Sequence, residues 1–415
     1  MKIAIVGSGI AGNVVARGLH RSHDITLFEA ASHIGGHTHT HSVECAGRRY
    51  EVDTGFIVFN DWTYPNFIAL LQELGVESQP SCMSFSVRNE ASGLEYNGTS
   101  LAGLFAQRRN LLRPSFYRML RDILRFNREA PELLSSSEEI SLQTCLSEKR
   151  YSRAFIDDYL VPMGAAIWST DPARMLGFPA AFFVRFLHNH GMLSVNERPQ
   201  WRAIRGGSAR YVEKLVAPFR HRIRLNTPVR HVRRLPDSVI VSGERFDHVF
   251  FACHADQALA ALADATPLER EVLGAMPYQE NEAVLHTDTS LLPRARRAWA
   301  AWNYHLPREA GSRVALTYNM NILQTLSSRE TFCVTLNRTA DIDPRRILKR
   351  ITYHHPLFTR AAISAQQRQH EINGERRAWF CGAYWRYGFH EDGVVSALAA
   401  LRHFEQRATE GRLAA

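Results

Sequence analysis

The opening of the chain constrains the fold more than any other stretch. Ile3-Ala4-Ile5-Val6 is a short, mostly β-branched run that reads as a buried parallel strand. Gly7-Ser8-Gly9-Ile10-Ala11-Gly12 follows without a gap, and Asn13 to Arg21 carries apolar residues at helical spacing. Strand, GxGxxG and helix stand in the order a dinucleotide site requires. Gly7 makes the tight turn, Gly9 lets the backbone approach a diphosphate, and Gly12 permits close packing of helix on strand. The first N–H groups of the helix, around Ile10 and Ala11, lie at the positive end of its dipole and suit phosphate. A second strand, Ile25-Thr26-Leu27-Phe28, ends at Glu29-Ala30. A carboxylate at Glu29 accepts hydrogen bonds from ribose hydroxyls and repels a 2′-phosphate, which disfavours NADP.

At 415 residues the chain is long enough for at least two structural units. Six scattered cysteines with no CxxC pair argue against a zinc ribbon or a dithiol redox centre, and fit reduced thiols in a cytoplasmic protein. The first apolar run is too short for a signal-peptide core, and no stretch approaches the ~20 apolar residues of a membrane span. The net charge of +9 comes almost wholly from arginine. Those arginines are spread along the chain, and no nucleic-acid-binding motif accompanies them, so nucleic acid is not an expected partner.

After Glu29 come Ser32-His33-Ile34-Gly35-Gly36-His37-Thr38, a glycine pair followed by polar side chains. This resembles the second fingerprint of the flavoprotein amine oxidase and phytoene desaturase superfamily. There the segment wraps the far side of the FAD diphosphate; the family's usual arginine is here His37. The resemblance continues in Asp53-Thr54-Gly55-Phe56-Ile57, where the family's glycine lets backbone pass close to the isoalloxazine ring. It implies that Val229 meets the adenine and that the strand ending at Ala252 returns beneath the cofactor. Near the C-terminus, Trp379 to Gly382 reads as a strand ending at a glycine, and the stretch from Gly388 opens the last helix. In the family that helix start faces the flavin pyrimidine, which assigns Gly382, Asp392, Gly393 and Val394 to the cofactor. Asp392 is placed to cap the helix, with Gly393 keeping the approach open. Within the superfamily the chain is most similar to bacterial proteins described as NAD/FAD-binding, amine-oxidase-like oxidoreductases.

These readings predict an α/β protein. Its discontinuous Rossmann-like FAD domain, of the glutathione-reductase type, covers 1–75, 205–255 and 375–415. A substrate domain comprises 76–204, mostly helical, and 256–374, a mixed sheet with strands near 314–318 and 331–336. FAD is expected to be held without a covalent link, since Cys381 reads as a buried strand cysteine. His37, His39 and His41 alternate, which in an extended segment puts three imidazoles on one side. A metal site there lacks a completing carboxylate or thiolate, and no metal is expected.

The helix beginning near Ser115 has Phe116, Met119, Leu120, Ile123 and Phe126 on one face and Arg118, Arg121, Arg125 and Arg128 on the other. Such a helix can lie on an anionic membrane, giving a cytoplasmic protein peripheral to the inner membrane face, or it can pack on the core with a solvated back. Many amine oxidases place a lysine beside flavin N5. The four lysines here, Lys2, Lys149, Lys214 and Lys349, match no such position. The pocket candidates are aromatic: Trp168, Tyr384, Trp385 and Phe389. With no acid–base residue identified, the sequence favours an FAD oxidoreductase that takes a hydride from a C–H bond of an apolar, fatty-acyl or lipid-like substrate. Amine oxidation with release of hydrogen peroxide and a non-catalytic dinucleotide-binding role remain alternatives. Neither the electron acceptor nor the oligomeric state is legible.

Overall fold

The computed structural model describes residues 1–135, 140–308 and 313–413, with side chains of the last helix described as far as Arg407. Residues 136–139, 309–312 and 414–415, which fall within the expected domain ranges, lie outside the described residues.

Five parallel strands form one sheet in the order Ile223–Arg224, Asp24–Phe28, Lys2–Val6, His248–Phe251 and Ala378–Phe380. The first strand sits in the middle, which explains its unbroken apolar character, because both of its faces are covered. Ile3 and Ile5 pack with Ile25, Leu27, Phe250 and Trp379 on one face, under the helix Ile10–Leu19 and the C-terminal helix His390–Leu413. Ala4 and Val6 pack with Phe28, Val249 and Phe251 on the other, under an antiparallel meander of Val232–Arg234, Val239–Val241 and Glu244–Phe246. Period-two alternation thus divides one strand between two cores. The two helices approach closely through glycine: a Cβ on Gly18 would stand 2.7 Å from Leu401 Cδ1.

The second large sheet has seven strands in the order Ile347–Pro356, Tyr278–His286, Cys333–Leu336, Leu316–Asn319, Trp302–Leu306, Phe85–Asn89 and Leu94–Asn97. All neighbours are antiparallel except Trp302–Leu306 with Phe85–Asn89, where Trp302 pairs with Phe85 and Tyr304 with Val87. That pair joins the two long inserted segments in a single sheet. It also corrects the expectation that 76–204 is helical. The segment gives two strands to this sheet, and Ser78–Pro80 and Trp201–Ile204 to a smaller three-stranded one with Val58–Asn60. Each of these strands is only three to five residues long, too short for alternation to stand out. Residues 101–189 are mostly helical. In the helix Pro114–Glu129, Phe116 and Met119 are buried in the core of the seven-stranded sheet and Phe126 in a neighbouring helical core. Its apolar face is therefore covered by protein. No described helix is long and apolar enough to cross a membrane.

Candidate active site

A cavity of about 700 Å3 lies between the parallel sheet and the seven-stranded sheet, a size suited to a small-molecule site. Gly7, Gly9, Ile10, Ala11, Glu29 and Ala30 form part of its wall, and Val229 and Ala252 another part. The three glycines of the turn have different duties. Gly7 adopts φ +102°, a region that favours glycine. Gly12 lies behind the wall, where a Cβ would meet Gly7 O at 1.9 Å, so it serves packing. At Gly9 a Cβ would meet nothing within 4 Å. Glu29 accepts hydrogen bonds from Ser8 N (2.8 Å), Ser8 Oγ (2.6 Å) and Ala31 N (2.8 Å), which hold its carboxylate against the turn.

The glycine pair Gly35-Gly36 also lines the cavity. Gly36, at φ +59°, brings its backbone against Gly9, where a Cβ would be 3.2 Å from the Gly9 Cα. The chain turns there instead of running straight, so His37, His39 and His41 do not share one side as the alternation suggested. His39 stacks on His33 (3.9 Å between centroids) and lies against His41 (4.0 Å), whereas His37 stacks on Tyr353 (5.0 Å). Gly55 lines the cavity, but its missing side chain makes room for the chain itself. A Cβ there would stand 2.1 Å from the His37 carbonyl oxygen, which accepts from Phe56 N–H at 2.8 Å. Phe56 and Ile57 complete that wall.

Thr38 is not on the cavity. Its buried hydroxyl meets Tyr211 Oη (2.6 Å) and His390 Nε2 (2.9 Å), and Tyr211 Oη meets His390 Nε2 (2.8 Å). This closed triangle ties the glycine-pair turn to the start of the C-terminal helix. His390 stacks on Phe56 at 3.5 Å, lines the cavity and is held neutral, because burial drives its pKa far below the ordinary value.

Gly382, Tyr384 and Phe389 line the cavity, as does Trp168, whose indole N–H donates to Tyr387 O at 3.2 Å. Four other residues assigned to this region do not. Gly393 is filled by the first helix, since a Cβ would stand 2.7 Å from Ile10 Cγ2. Val394 is buried in the same core. Asp392 turns back to accept from Phe389 N at 2.9 Å, capping a helix that begins at His390, and burial pushes its carboxyl up to about 6. Trp385 is buried beneath the parallel sheet. The helix starts earlier than the glycine suggested, which moves all three helix positions behind the wall.

The opposite wall comes from segments where the sequence offered least. Tyr278, Trp302 and Tyr318 come from three strands of the seven-stranded sheet, and Ile351, Tyr353 and His355 from a fourth. The last three alternate along Ile347–Pro356, a period-two signal that could have marked the strand. His254, His354 and Phe358 also line the cavity. Burial together with neighbouring imidazoles lowers His37 to about 3, His254 to about 4 and His355 to about 3. Asn281 Nδ2 donates to His355 Nδ1 (2.9 Å) and its Oδ1 accepts from Asn337 Nδ2 (2.8 Å), which places the imidazole proton of His355 on Nε2. Among the described residues no lysine, arginine or aspartate lines the cavity, and Glu29 is its one carboxylate.

A family model described as flavin containing amine oxidoreductase matches residues 10–287. The chain belongs to that family. It is an FAD-dependent oxidoreductase. No curated protein matches the sequence. Among solved structures, cyclohexylamine oxidase from Brevibacterium oxydans IH-35A is 15% identical with a TM-score of 0.69, covering 97% of this chain and 99% of that one. A putative protoporphyrinogen oxidase from Exiguobacterium sp. 255-15 is 17% identical with a TM-score of 0.67, covering 98% and 99%. A fatty acid isomerase from P. acnes, described as producing CLA, is 14% identical with a TM-score of 0.67, covering 97% and 98%. At such identities the likeness establishes the fold.

The residues of this chain fit FAD. The helix Ile10–Leu19 opens on the cavity with no side-chain cap and no acid in its first turn, leaving N–H groups for a diphosphate. Gly9 leaves space there, and Glu29 stands at the strand end for a ribose. Cys381 is fully buried in the core and off the cavity wall.

Proposed function

We propose that this flavoprotein dehydrogenates a neutral, apolar, lipid-like molecule. The observation that carries the reading is the composition of the cavity wall beyond the nucleotide-binding turn: aromatic and aliphatic side chains, neutral imidazoles, and no lysine, arginine or aspartate. Such a lining rewards burial of hydrocarbon at about 25 cal/mol per Å2 and provides no ion pair for a charged substrate. FAD, when bound, supplies a hydride acceptor. The chain's own share is to hold the C–H bond in place and to exclude water through Trp168, Tyr387 and Phe389, while His254 and His355 stay neutral.

Family membership favours a second reading, in which a neutral amine is oxidised and hydrogen peroxide released. Anaerobic mixing of the yellow holoenzyme with long-chain acyl compounds and, separately, with primary amines distinguishes the two. Bleaching of the flavin by the acyl compounds alone is expected. Bleaching by amines alone, with peroxide formed on admitting air, would replace the first reading with the second.

A further inference from the structure

The described residues expose nine large apolar side chains, and five of them, Leu101, Leu111, Leu112, Tyr117 and Leu124, fall within one short stretch. Leu112 is 87% exposed and Leu101 75%. They form a surface together: Tyr117 Oη donates to Leu111 O at 3.1 Å, and the Tyr117 ring lies 6.3 Å from Phe105, at the end of the short helix Leu101–Leu104. Along Pro114–Glu129, the exposed residues Tyr117, Arg121, Leu124 and Arg128 recur at helical spacing on the side opposite the buried Phe116, Met119 and Phe126.

The same stretch, 101–128, holds seven arginines and a single acid, Asp122. That acid is buried, where it accepts from Ser152 N. Asp122 and the adjacent Glu129 lie within 3.8 Å of Arg121, Arg125 and Arg128, yet two acids cannot balance seven arginines, and residues 101–128 carry two-thirds of the net charge of the chain. Arg108, Arg109, Arg118, Arg121 and Arg128 are all exposed. Exposed leucines ringed by arginines are costly in water and suited to one occupant, the interface of an anionic bilayer. There, leucine and tyrosine side chains enter the acyl boundary and guanidinium groups meet lipid phosphates.

We infer that residues 101–128 are a peripheral docking surface for anionic lipid. The contact is not the apolar face of the amphipathic helix, which is occupied by the core. It is the outer stripe of that helix together with the turn Arg108–Leu112. This surface stands independently of what the cavity accepts.

Flotation of the full-length holoenzyme with vesicles tests it. Binding is expected to vesicles of equal parts phosphatidylglycerol and phosphatidylcholine, not to phosphatidylcholine alone, and is expected to weaken with added salt. Arg118→Gln with Arg121→Gln should lower the partition coefficient about 30-fold. Leu111→Ser with Leu112→Ser should lower it about tenfold, both variants keeping bound flavin because these side chains are exposed. Equal binding to both vesicle types, or no change in either double variant, overturns the proposal. So does absence of vesicle binding with self-association that Leu111→Ser and Leu112→Ser abolish, which would assign the surface to a second copy of the chain.

Discussion

The two walls of the cavity are built by different means. The glycine-turn wall is largely backbone: Gly7, Gly9, Gly35, Gly36 and Gly55 bring main chain to main chain, and Glu29 adds one carboxylate from a neighbouring strand. The opposite wall is almost entirely side chain, gathered from strands of the seven-stranded sheet and from the loops around His254 and Phe358. A wall of backbone is intolerant of an added methyl group and indifferent to pH. A wall of buried rings tolerates trimming and responds to protons.

The sharpest break in that comparison comes from glycine. Gly12→Ala forces a Cβ against the Gly7 carbonyl and should cost more than ~3 kcal/mol, read as a low thermal midpoint and a colourless protein. Gly9→Ala, where nothing stands within 4 Å and φ is −65°, should keep the fold within ~0.5 kcal/mol yet lose flavin. If both variants behave alike, the division of duties between the glycines is wrong.

The buried imidazoles around the cavity, His37 and His390 among them, predict a pH effect. His37, His254 and His355 have folded-state pKa values well below the ordinary 6.5, and so does His390. Below 6.5 the unfolded chain binds the extra protons, so stability is complete above that pH and is lost as pH falls toward about 4. Asp53 and Asp392 act oppositely. Burial raises each to about 6, so each binds its proton more tightly when folded and offsets part of the loss between pH 6 and 4. The four imidazoles outweigh the two carboxyls. Thermal midpoints should therefore fall on acidification, and His355→Gln should reduce the slope by about 1.4 kcal/mol per pH unit. An unchanged slope would show that His355 is not held neutral.

Smaller effects sharpen the contrast further. Glu29→Ala removes three hydrogen bonds and should weaken flavin retention by ~2 kcal/mol, measured by flavin release on dilution. Tyr211→Phe opens the triangle with Thr38 and His390 and should cost ~1 kcal/mol in chemical denaturation. Tyr384→Phe should be the mildest. Its hydroxyl has no hydrogen-bond partner among the described residues, so stability should change by less than ~0.5 kcal/mol. A change in kcat/KM without a change in stability would place that hydroxyl against the substrate.

Much of the nucleotide wall was legible in the linear chain. Strand, turn and helix are contiguous there, and each glycine answers a local steric demand. Even so, Gly393 lies behind the wall, and Gly55, though it lines the cavity, is glycine to make room for the chain itself. Their crowding partners, the Ile10 side chain and the His37 carbonyl, are distant in sequence and visible only once packed. The opposite wall was mostly illegible. Tyr278, Trp302, Tyr318 and Tyr353 carry no shared pattern, because each belongs to a different strand whose neighbours are set by sheet order. The exposed leucines near residue 112 were hidden for a related reason. Sequence periodicity marks which face of a helix is apolar, but only packing decides which apolar groups the core leaves outside.

What the sequence by itself determined is the dinucleotide turn and with it the flavin family, because a diphosphate is bound by backbone geometry that a few contiguous residues dictate. The tertiary structure alone decided which rings line the cavity, which histidines are stripped of charge and which leucines remain in water. Those properties arise from burial, a sum over many distant neighbours.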